Sequence, residues 1–235
     1  MNLHVIILAA GKGSRMKSDT PKVLHTVAGV PMLHRVMSIA KRLAPEQMHL
    51  VLGHGIEAIQ NTLAEQWSST NIVRQSEQLG TGHAVNIALD HLPNDGISLV
   101  LYGDVPLITV DTLEQCVAIA DAGELGIVTA NMSDPAQLGR ILRNDTDSIE
   151  AIVEFKDATL QQRAIHEINS GILAAPTHLL RGWLARVQPN NQQGEYYLTD
   201  AVALAVSDGV GVQGILVKDE NEVIGVNDRL QLAQV

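Results

Sequence analysis

The sequence predicts an α/β fold: a Rossmann-like, open and mostly parallel twisted sheet with helices on both faces. Short apolar runs alternate with longer amphipathic stretches through the first half of the chain, and this β-α-β-α order favours a parallel sheet. The 235 residues, 46% of them hydrophobic and 18% charged, are enough for a full hydrophobic core. No Pro-, Gly- or Ser-rich linker separates the halves, so we expect residues 1–235 to form a single domain.

Each predicted element rests on its apolar pattern. Residues 5–8 form a continuous, largely β-branched run, which indicates a buried strand. Residues 32–43 follow Pro31 and carry apolar side chains at helical spacing. By the same reasoning, the other strands of the first half are 49–52, 71–74, 98–102 and 126–130, and its other helices are 56–63, 81–92 and 110–120. The second half is less regular, with strands at 140–142, 149–154, 167–174 and 212–217 and helices at 178–187 and 196–206.

Charge and composition exclude several classes of protein. The net charge of −10 and the pI near 5.3 leave no excess of cations to replace phosphate counterions, which argues against a nucleic-acid-binding protein. The single cysteine, Cys116, excludes an intrachain disulfide and Cys-rich zinc modules. The apolar run at residues 5–10 is too short for a membrane span and lacks a basic flank. We therefore expect a cytoplasmic protein without nucleic-acid or membrane partners, in which a few local cations or backbone N–H groups hold any anionic ligand.

The loop after the first predicted strand is rich in glycine and positive charge. It reads Leu-Ala-Ala-Gly-Lys-Gly-Ser-Arg-Met over residues 8–16 and continues to Pro-Lys at 21–22. Small residues and glycines allow backbone N–H groups to approach an anion closely. Arg15 can bridge phosphate oxygens with its planar guanidinium, and Lys22 supplies a more mobile charge. Because Met16 stands where the P-loop and the dinucleotide fingerprint need other residues, the loop predicts a phosphate site of a different kind.

Asp104 is a candidate metal ligand. It follows the predicted strand 98–102 and a glycine, at the strand end where open α/β sheets place ligands. A carboxylate beside a triphosphate is a natural Mg²⁺ ligand. The alternative is a turn or helix-capping aspartate, but Thr109 is the better candidate for the cap of the next helix.

Six segments in chain order resemble one family. The Leu-x-x-Gly-x-Gly-x-Arg-Met…Pro-Lys loop is similar to the signature of sugar-nucleotide pyrophosphorylases. The later segments narrow the match; they lie at 75–84, 102–107, 167–171, 194–200 and 225–229. Together they resemble the N-acetylglucosamine-1-phosphate uridyltransferase half of bifunctional bacterial enzymes, and the resemblance covers the chain from end to end. One such motif would be a weak indication, whereas six in order are specific.

The resemblance implies a fold of the nucleotide-diphospho-sugar transferase type and a Mg²⁺-dependent reaction. UTP and N-acetyl-α-D-glucosamine 1-phosphate would give UDP-N-acetylglucosamine, a cell-wall precursor, and pyrophosphate, with Arg15 and Lys22 as the catalytic cations. Asp104 and Asn227 would hold the metal, although Asn227-Asp228 is equally plausible as the cap of the final helix. The implied nucleotide-binding residues are Leu8, Ala9, Ala10, Gly11, Gln75, Gly80, Thr81, Tyr102 and Gly103. The implied sugar-binding residues are Gly139, Glu154, Asn169, Tyr197 and Thr199.

Two departures from the family pattern qualify these expectations. Gln137 and Leu138 stand where the family usually has glycine and an aromatic residue, and a non-glycine at 137 disfavours a positive φ there. The turn beside Gly139 is therefore expected to differ. The acetyltransferase β-helix of the bifunctional enzymes does not follow Val235, so we expect no acetyl transfer and a monomer, with a trimer for a full-length chain.

Two other functions remain open at this point. One is a related enzyme of the same fold that uses another sugar or nucleotide, such as a thymidylyl- or cytidylyltransferase. The other is a non-catalytic module that senses nucleotides; such a module would be expected to lose the metal ligand or the paired cations, whereas Asp104, Asn227, Arg15 and Lys22 are all present.

Overall fold

The computed structural model describes residues 2–63 and 67–235. In chain order, its strands are β1 (Leu3–Leu8), β2 (Thr26–Val27), β3 (Val30–Pro31), β4 (Gln47–Leu52), β5 (Asn71–Arg74), β6 (Ile97–Tyr102), β7 (Leu125–Asn131), β8 (Arg140–Arg143), β9 (Ile149–Val153), β10 (Glu167–Pro176) and β11 (Val212–Leu216). Its helices are α1 (Met32–Arg42), α2 (Ile56–Gln60), α3 (Thr81–Leu89), α4 (Val110–Asp121), α5 (Leu160–Arg163), α6 (Thr177–Leu184), α7 (Asp200–Ser207) and α8 (Arg229–Gln234). In the described ranges, none of these helices is long and apolar enough to cross a membrane.

A central sheet positions the loops that matter for function. Nine of the described strands belong to it. Seven follow the order β11-β7-β10-β6-β1-β4-β5, β8 pairs with β10, and β9 pairs with β8. β1 runs parallel to β4 and β6, and β4 runs parallel to β5. The predicted open sheet is thus confirmed, with β10 and the β8–β9 pair as its antiparallel part. Because β1, β4, β5 and β6 are parallel, their carboxyl ends meet at one edge of the sheet.

Helices cover both faces of the sheet, as predicted. Successive side chains of β1 point to opposite sides. Val5 and Ile7 pack with α1 and α4, whereas Ile6 and Leu8 pack with α3, α6 and α7. Burial on both faces explains why this strand is a continuous apolar run rather than an alternating one.

The starts of two helices compare differently with the sequence predictions. The Thr109 hydroxyl accepts a hydrogen bond from Thr112 N at 3.3 Å, which confirms Thr109 as the cap of α4. The prediction of a helix from 196 is wrong, since α7 begins at Asp200. The backbone before it pairs with another loop: Tyr196 N donates to Leu79 O at 2.8 Å, and Tyr196 O accepts from Gly82 N at 2.8 Å.

No pattern in the sequence predicts the small β2–β3 hairpin. Its turn consists of Ala28 and Gly29, with φ of 48° and 78°. A two-residue hairpin turn with both φ values positive is usually marked by Asn-Gly or Asp-Gly, and an alanine at the first position gives no such indication.

Candidate active site

A cavity of about 450 Å³ opens at the carboxyl ends of the parallel strands. Its walls come from the loop after β1, the segment between β5 and α3, and the loop after β6. Predicted site residues supply much of this wall: Leu8, Ala9, Ala10, Gly11, Lys22, Gln75, Gly80, Thr81, Tyr102, Asp104 and Asn227. The structure therefore brings most of the predicted phosphate, nucleotide and metal residues to one place, with Arg15 and Gly103 as the exceptions.

Lys22 stands at the centre of the charged part of the cavity. Its Nζ donates to Asp104 Oδ2, and also to Asn227 Oδ1 at 3.1 Å. The Lys22 and Asp104 side chains are only 14% and 13% exposed. Gly13 permits this arrangement: its φ is +60°, and a Cβ there would lie 2.5 Å from Lys22 Cβ. Three residues from distant parts of the chain thus share one polar contact at the cavity.

Asn227 is not the cap of the final helix, and its role as a metal ligand stays a prediction. Asp228 caps α8, because its carboxylate accepts from Gln231 N at 2.9 Å. Asn227 instead donates through Nδ2 to Gly225 O at 3.0 Å, which leaves its Oδ1 facing Lys22. The neighbouring backbone is fixed to the same loop, since Val226 N donates to Asp104 O at 2.8 Å.

Arg15 lies outside the cavity wall. It is exposed in the middle of a 3₁₀ turn, Ser14–Met16, and the residue that follows it in this turn, Met16, is fully buried. Arg229 holds this turn from the other side by donating to Met16 O at 3.1 Å and Lys17 O at 3.2 Å. The catalytic roles of Arg15 and Lys22 stay predictions, and of the two only Lys22 lines the cavity.

The segment between β5 and α3 forms the predicted base-binding part. Gln75 is buried, and its Nε2 donates to Gly80 O at 3.2 Å and lies 3.1 Å from His83 Nδ1. Gly80 has a φ of +112°, and a Cβ there would lie 2.5 Å from Tyr196 O, so only glycine suits this position. The Thr81 hydroxyl accepts from Leu198 N at 3.2 Å. This segment, residues 75–80, is called the base loop below. It is held against the segment before α7.

Tyr102 and Gly103 follow β6 in different roles. Burial raises the pKa of the Tyr102 hydroxyl, and the carboxylates of Glu154 and Asp104 raise it further, so the hydroxyl remains a hydrogen-bond donor at neutral pH. Gly103 does not line the cavity. A Cβ on it would lie 3.2 Å from Leu33 and 3.3 Å from Ala9, so its small size allows the two loops to pack.

Four of the predicted sugar-binding residues form a second group beside the cavity. Asn169 N donates to Gly139 O at 2.9 Å, and the Thr199 hydroxyl donates to Glu154 Oε1 at 3.1 Å. A Cβ on Gly139 would lie 3.6 Å from both carboxylate oxygens of Glu154. These four do not line the cavity itself, but Leu138 and Ser170, their chain neighbours, do.

The predicted sugar-binding residues lie among several carboxylates. Burial raises the pKa of Glu154, and the carboxylates of Asp200, Asp157 and Glu195 raise it further against the hydrogen bond from Thr199. Tyr197, the fifth predicted residue, is buried, and burial together with the carboxylates of Asp157, Glu154 and Glu195 raises the pKa of its hydroxyl. A neutral, hydroxyl-rich ligand suits these acceptors better than a further anion.

The turn beside Gly139 has its positive φ at Ala136, at 42°, and not at Gln137. Arg140 holds the turn from inside. It is 2% exposed, and its guanidinium donates to the carbonyls of Leu138, Ala136 at 3.0 Å, Pro135 at 3.3 Å and Arg163 at 3.4 Å. Leu138, where the family usually has an aromatic residue, thereby becomes part of the cavity wall.

Several wall residues were not predicted. They are Val23, Gln78, Ala84, Val105, Leu138, Ser170, Glu195, Val223 and Gly225. Gln78 was recognisable, because it lies in the motif at 75–84; its Nε2 donates to Ala10 O at 2.8 Å and so joins the base loop to the loop after β1. The apolar members carry no chemical indication in the sequence.

Residues 5–189 match the MobA-like NTP transferase domain family. The chain belongs to this family. Among curated proteins, its relatives include "Bifunctional protein GlmU" of Pseudomonas aeruginosa, 51% identical over 235 residues, and that of Neisseria gonorrhoeae, 49% identical over 235 residues. These matches cover 99–100% of this chain and 50–51% of the relatives, so the chain spans about half their length. The resemblance to the bifunctional enzymes and the prediction of a nucleotidyltransferase are thereby confirmed at the level of the family.

Solved structures show the same fold. A UDP-glucose pyrophosphorylase complexed with UDP-glucose matches with a TM-score of 0.74 at 18% identity, over 88% of each chain. An inositol-1-phosphate CTP transferase from T. maritima matches with a TM-score of 0.68 at 17% identity, over 91% of this chain and 84% of that one. At such low identity, these NTP transferase relatives support the fold and leave the substrate to the site.

Proposed function

We propose that this NTP transferase domain transfers a uridylyl group from UTP to N-acetyl-α-D-glucosamine 1-phosphate, with Mg²⁺, and releases pyrophosphate. The observation that carries the proposal is the meeting of Lys22, Asp104 and Asn227 in the cavity that Gln75 and Gly80 also line. The GlmU proteins, about half identical over the whole chain, support this choice of reaction.

The main obstacle to such a reaction is charge repulsion. Both reactants are anions, and an oxygen of the sugar phosphate would attack the α-phosphorus in line while pyrophosphate leaves on the opposite side. That oxygen is already ionised near neutral pH, so the protein needs no nucleophile or general base. Lys22 supplies the positive charge, and the loop after β1 supplies backbone N–H groups, so catalysis consists of positioning and electrostatic stabilisation.

The donor set beside Lys22 suits Mg²⁺. This ion prefers oxygen ligands and is commonly held by one or two protein side chains, phosphates and water. Asp104 and Asn227 offer a carboxylate and an amide oxygen within reach of the same ammonium group. In the described parts of the chain, no cluster of three or more His, Cys, Asp or Glu could hold a metal, so a site that shares the ion with phosphates is the one these residues fit. When bound, Mg²⁺ would shield the charge of the phosphates.

The sugar would lie on the side of Glu154 and Asn169. Their oxygens can accept hydrogen bonds from sugar hydroxyls, and Gly139 leaves space against the Glu154 carboxylate. We also propose that the 235 residues act as one nucleotidyltransferase domain, because residues from Leu8 to Asn227 line the same cavity.

A pyrophosphate-release assay tests the proposal. UTP, CTP, dTTP and ATP are each combined with N-acetylglucosamine 1-phosphate, glucose 1-phosphate and galactose 1-phosphate, with and without Mg²⁺. We expect UTP with N-acetylglucosamine 1-phosphate to give the highest kcat/KM. Lys22→Ala should lower it by about 10²–10³-fold, as for the loss of a single transition-state donor. Lys218→Ala, which removes an exposed lysine outside the cavity wall, is the matched control and should leave kcat/KM unchanged. Preference for another pair, or full turnover by Lys22→Ala, would contradict the proposal.

A further inference from the structure

The side-chain amide of Gln75 is held in one orientation. Its Nε2 lies 3.2 Å from the carbonyl oxygen of Gly80. A carbonyl oxygen can only accept a hydrogen bond, so the NH₂ end of the amide must face it. The Gly80 carbonyl is itself fixed, because it also accepts from Ala84 N at 3.1 Å in the first turn of α3.

His83 occupies the other proton of this amide. Its Nδ1 lies 3.1 Å from Gln75 Nε2. Since Nε2 is a donor, Nδ1 must be the ring nitrogen with the lone pair, and the ring proton must lie on the other nitrogen of His83. Both protons of the Gln75 amide are therefore used inside the protein.

Only the acceptor of Gln75 remains for a ligand. Gln75 lines the cavity, and its Oε1 accepts no hydrogen bond from residues 2–63 or 67–235. Nor is Oε1 among the fully enclosed atoms that lack a partner. The backbone N–H of Gly80 likewise donates to no acceptor in the described chain. The base-binding part thus offers one acceptor on Gln75 and one donor on Gly80.

We infer that His83 is a positioning residue that sets nucleobase specificity by keeping Gln75 Oε1, and not its NH₂ group, directed at the base. Uracil and thymine carry a proton on N3, which can donate to this oxygen, and a flanking carbonyl that can accept from Gly80 N–H. Cytosine carries a lone pair on N3, which the oxygen repels. This inference rests on the proposed function and adds to it the residue that selects an N3–H base.

Substitutions of His83 test the inference through a specificity ratio. The measured quantity is kcat/KM for UTP divided by kcat/KM for CTP, together with calorimetric affinities for UDP and CDP. His83→Phe keeps a flat ring but cannot accept a hydrogen bond, so the ratio should fall about tenfold, as expected for one lost hydrogen bond. The loss should come from a higher KM for UTP and weaker UDP binding, with kcat nearly unchanged. His83→Asn, whose Oδ1 can take the place of Nδ1, should restore most of the ratio.

Two further variants complete the design. His83→Ala serves if the phenylalanine variant does not fold, and the same fall in the ratio is expected. His91→Phe changes an exposed histidine just beyond α3 and should leave the ratio as in the wild type. If the wild type does not prefer UTP over CTP, the proposed function itself fails. If the wild type prefers UTP and the Phe or Ala variant keeps the full ratio, the proposed function stands and the role of His83 is overturned.

Discussion

Replacing Lys22 with methionine should destabilise the protein as well as inactivate it. The Lys22 ammonium neutralises Asp104, and the two side chains are 14% and 13% exposed. Methionine preserves most of the length of the side chain but removes its charge. Lys22→Met therefore leaves the largely buried Asp104 carboxylate without the positively charged partner that the structure describes for it.

The size of this effect follows from the geometry of the pair. Two unit charges about 4 Å apart attract by about 4 kcal/mol at an effective dielectric constant of about 20. Breaking a fully buried pair costs about 3–5 kcal/mol, and the residual exposure of both side chains reduces that. We expect Lys22→Met to lower the free energy of unfolding by about 2–3 kcal/mol. For a chain of this length, this corresponds to a fall in Tm of about 4–12 °C.

A double-mutant cycle with Asp104→Asn measures the effect directly. Urea unfolding of the wild type, both single variants and the double variant gives the coupling energy between the side chains. In the double variant no unpaired charge remains, so Asp104→Asn should recover most of the stability lost in Lys22→Met. The reasoning is refuted if the two substitutions are additive, because the ion pair would then contribute nothing to the fold.

Three other predictions concern stability and the sugar side of the site. Burial lowers the pKa of His49 to about 4 from its ordinary 6.5. At a pH between these two values, the imidazole is therefore protonated in the unfolded chain but not in the native protein. The free energy of unfolding should therefore fall by about 2 kcal/mol from about pH 7 to about pH 5. His49→Leu removes the titrating ring and should reduce this loss in urea titrations. An unchanged pH dependence in this variant would contradict the prediction. Glu154→Gln should raise Tm at neutral pH, because burial penalises the charged carboxylate. The same substitution should raise KM for the sugar phosphate about 10- to 100-fold. A lower Tm or an unchanged KM would contradict this prediction. Arg140→Lys cannot reach all the carbonyls that the guanidinium holds, so KM for the sugar phosphate should rise severalfold at nearly constant kcat, unlike in the exposed control Arg143→Lys.

The convergence of Lys22 and Asp104 could be predicted from the sequence for a physical reason. Lys22 follows the loop after β1, and Asp104 follows β6, and both strands are continuous apolar runs that can be recognised without a structure. Parallel strands bring their carboxyl ends together, so residues directly after them converge. Arg15 shows the limit of this argument. Its place along the chain was clear, but the buried neighbour Met16 anchors the turn and leaves Arg15 outside, and sequence spacing does not give that direction.

Competition between neighbouring polar residues was the other limit. Asn227 and Asp228 are both good helix caps, and only the hydrogen bond from Gln231 N to Asp228 shows which of them caps α8. Asn227, which the helix does not use, is the one that lines the cavity and contacts Lys22. Arg140 was overlooked as a structural residue because its partners are backbone carbonyls, which carry no side-chain pattern.

The segment at 195–199 connects the base and sugar parts of the site. The sequence pattern predicts a helix from 196, and in such a helix the N–H groups of the first turn would point along the helix axis without an intrahelical acceptor. They instead hold the base loop, with Tyr196 N on Leu79 O and Leu198 N on the Thr81 hydroxyl. One residue later, Thr199 donates to Glu154. A helical backbone here would redirect these N–H groups away from Leu79 and Thr81 and would also move Thr199 relative to Glu154. The non-helical backbone couples the two parts, so a nucleotide that contacts Gly80 and Thr81 acts on the same segment that positions Glu154.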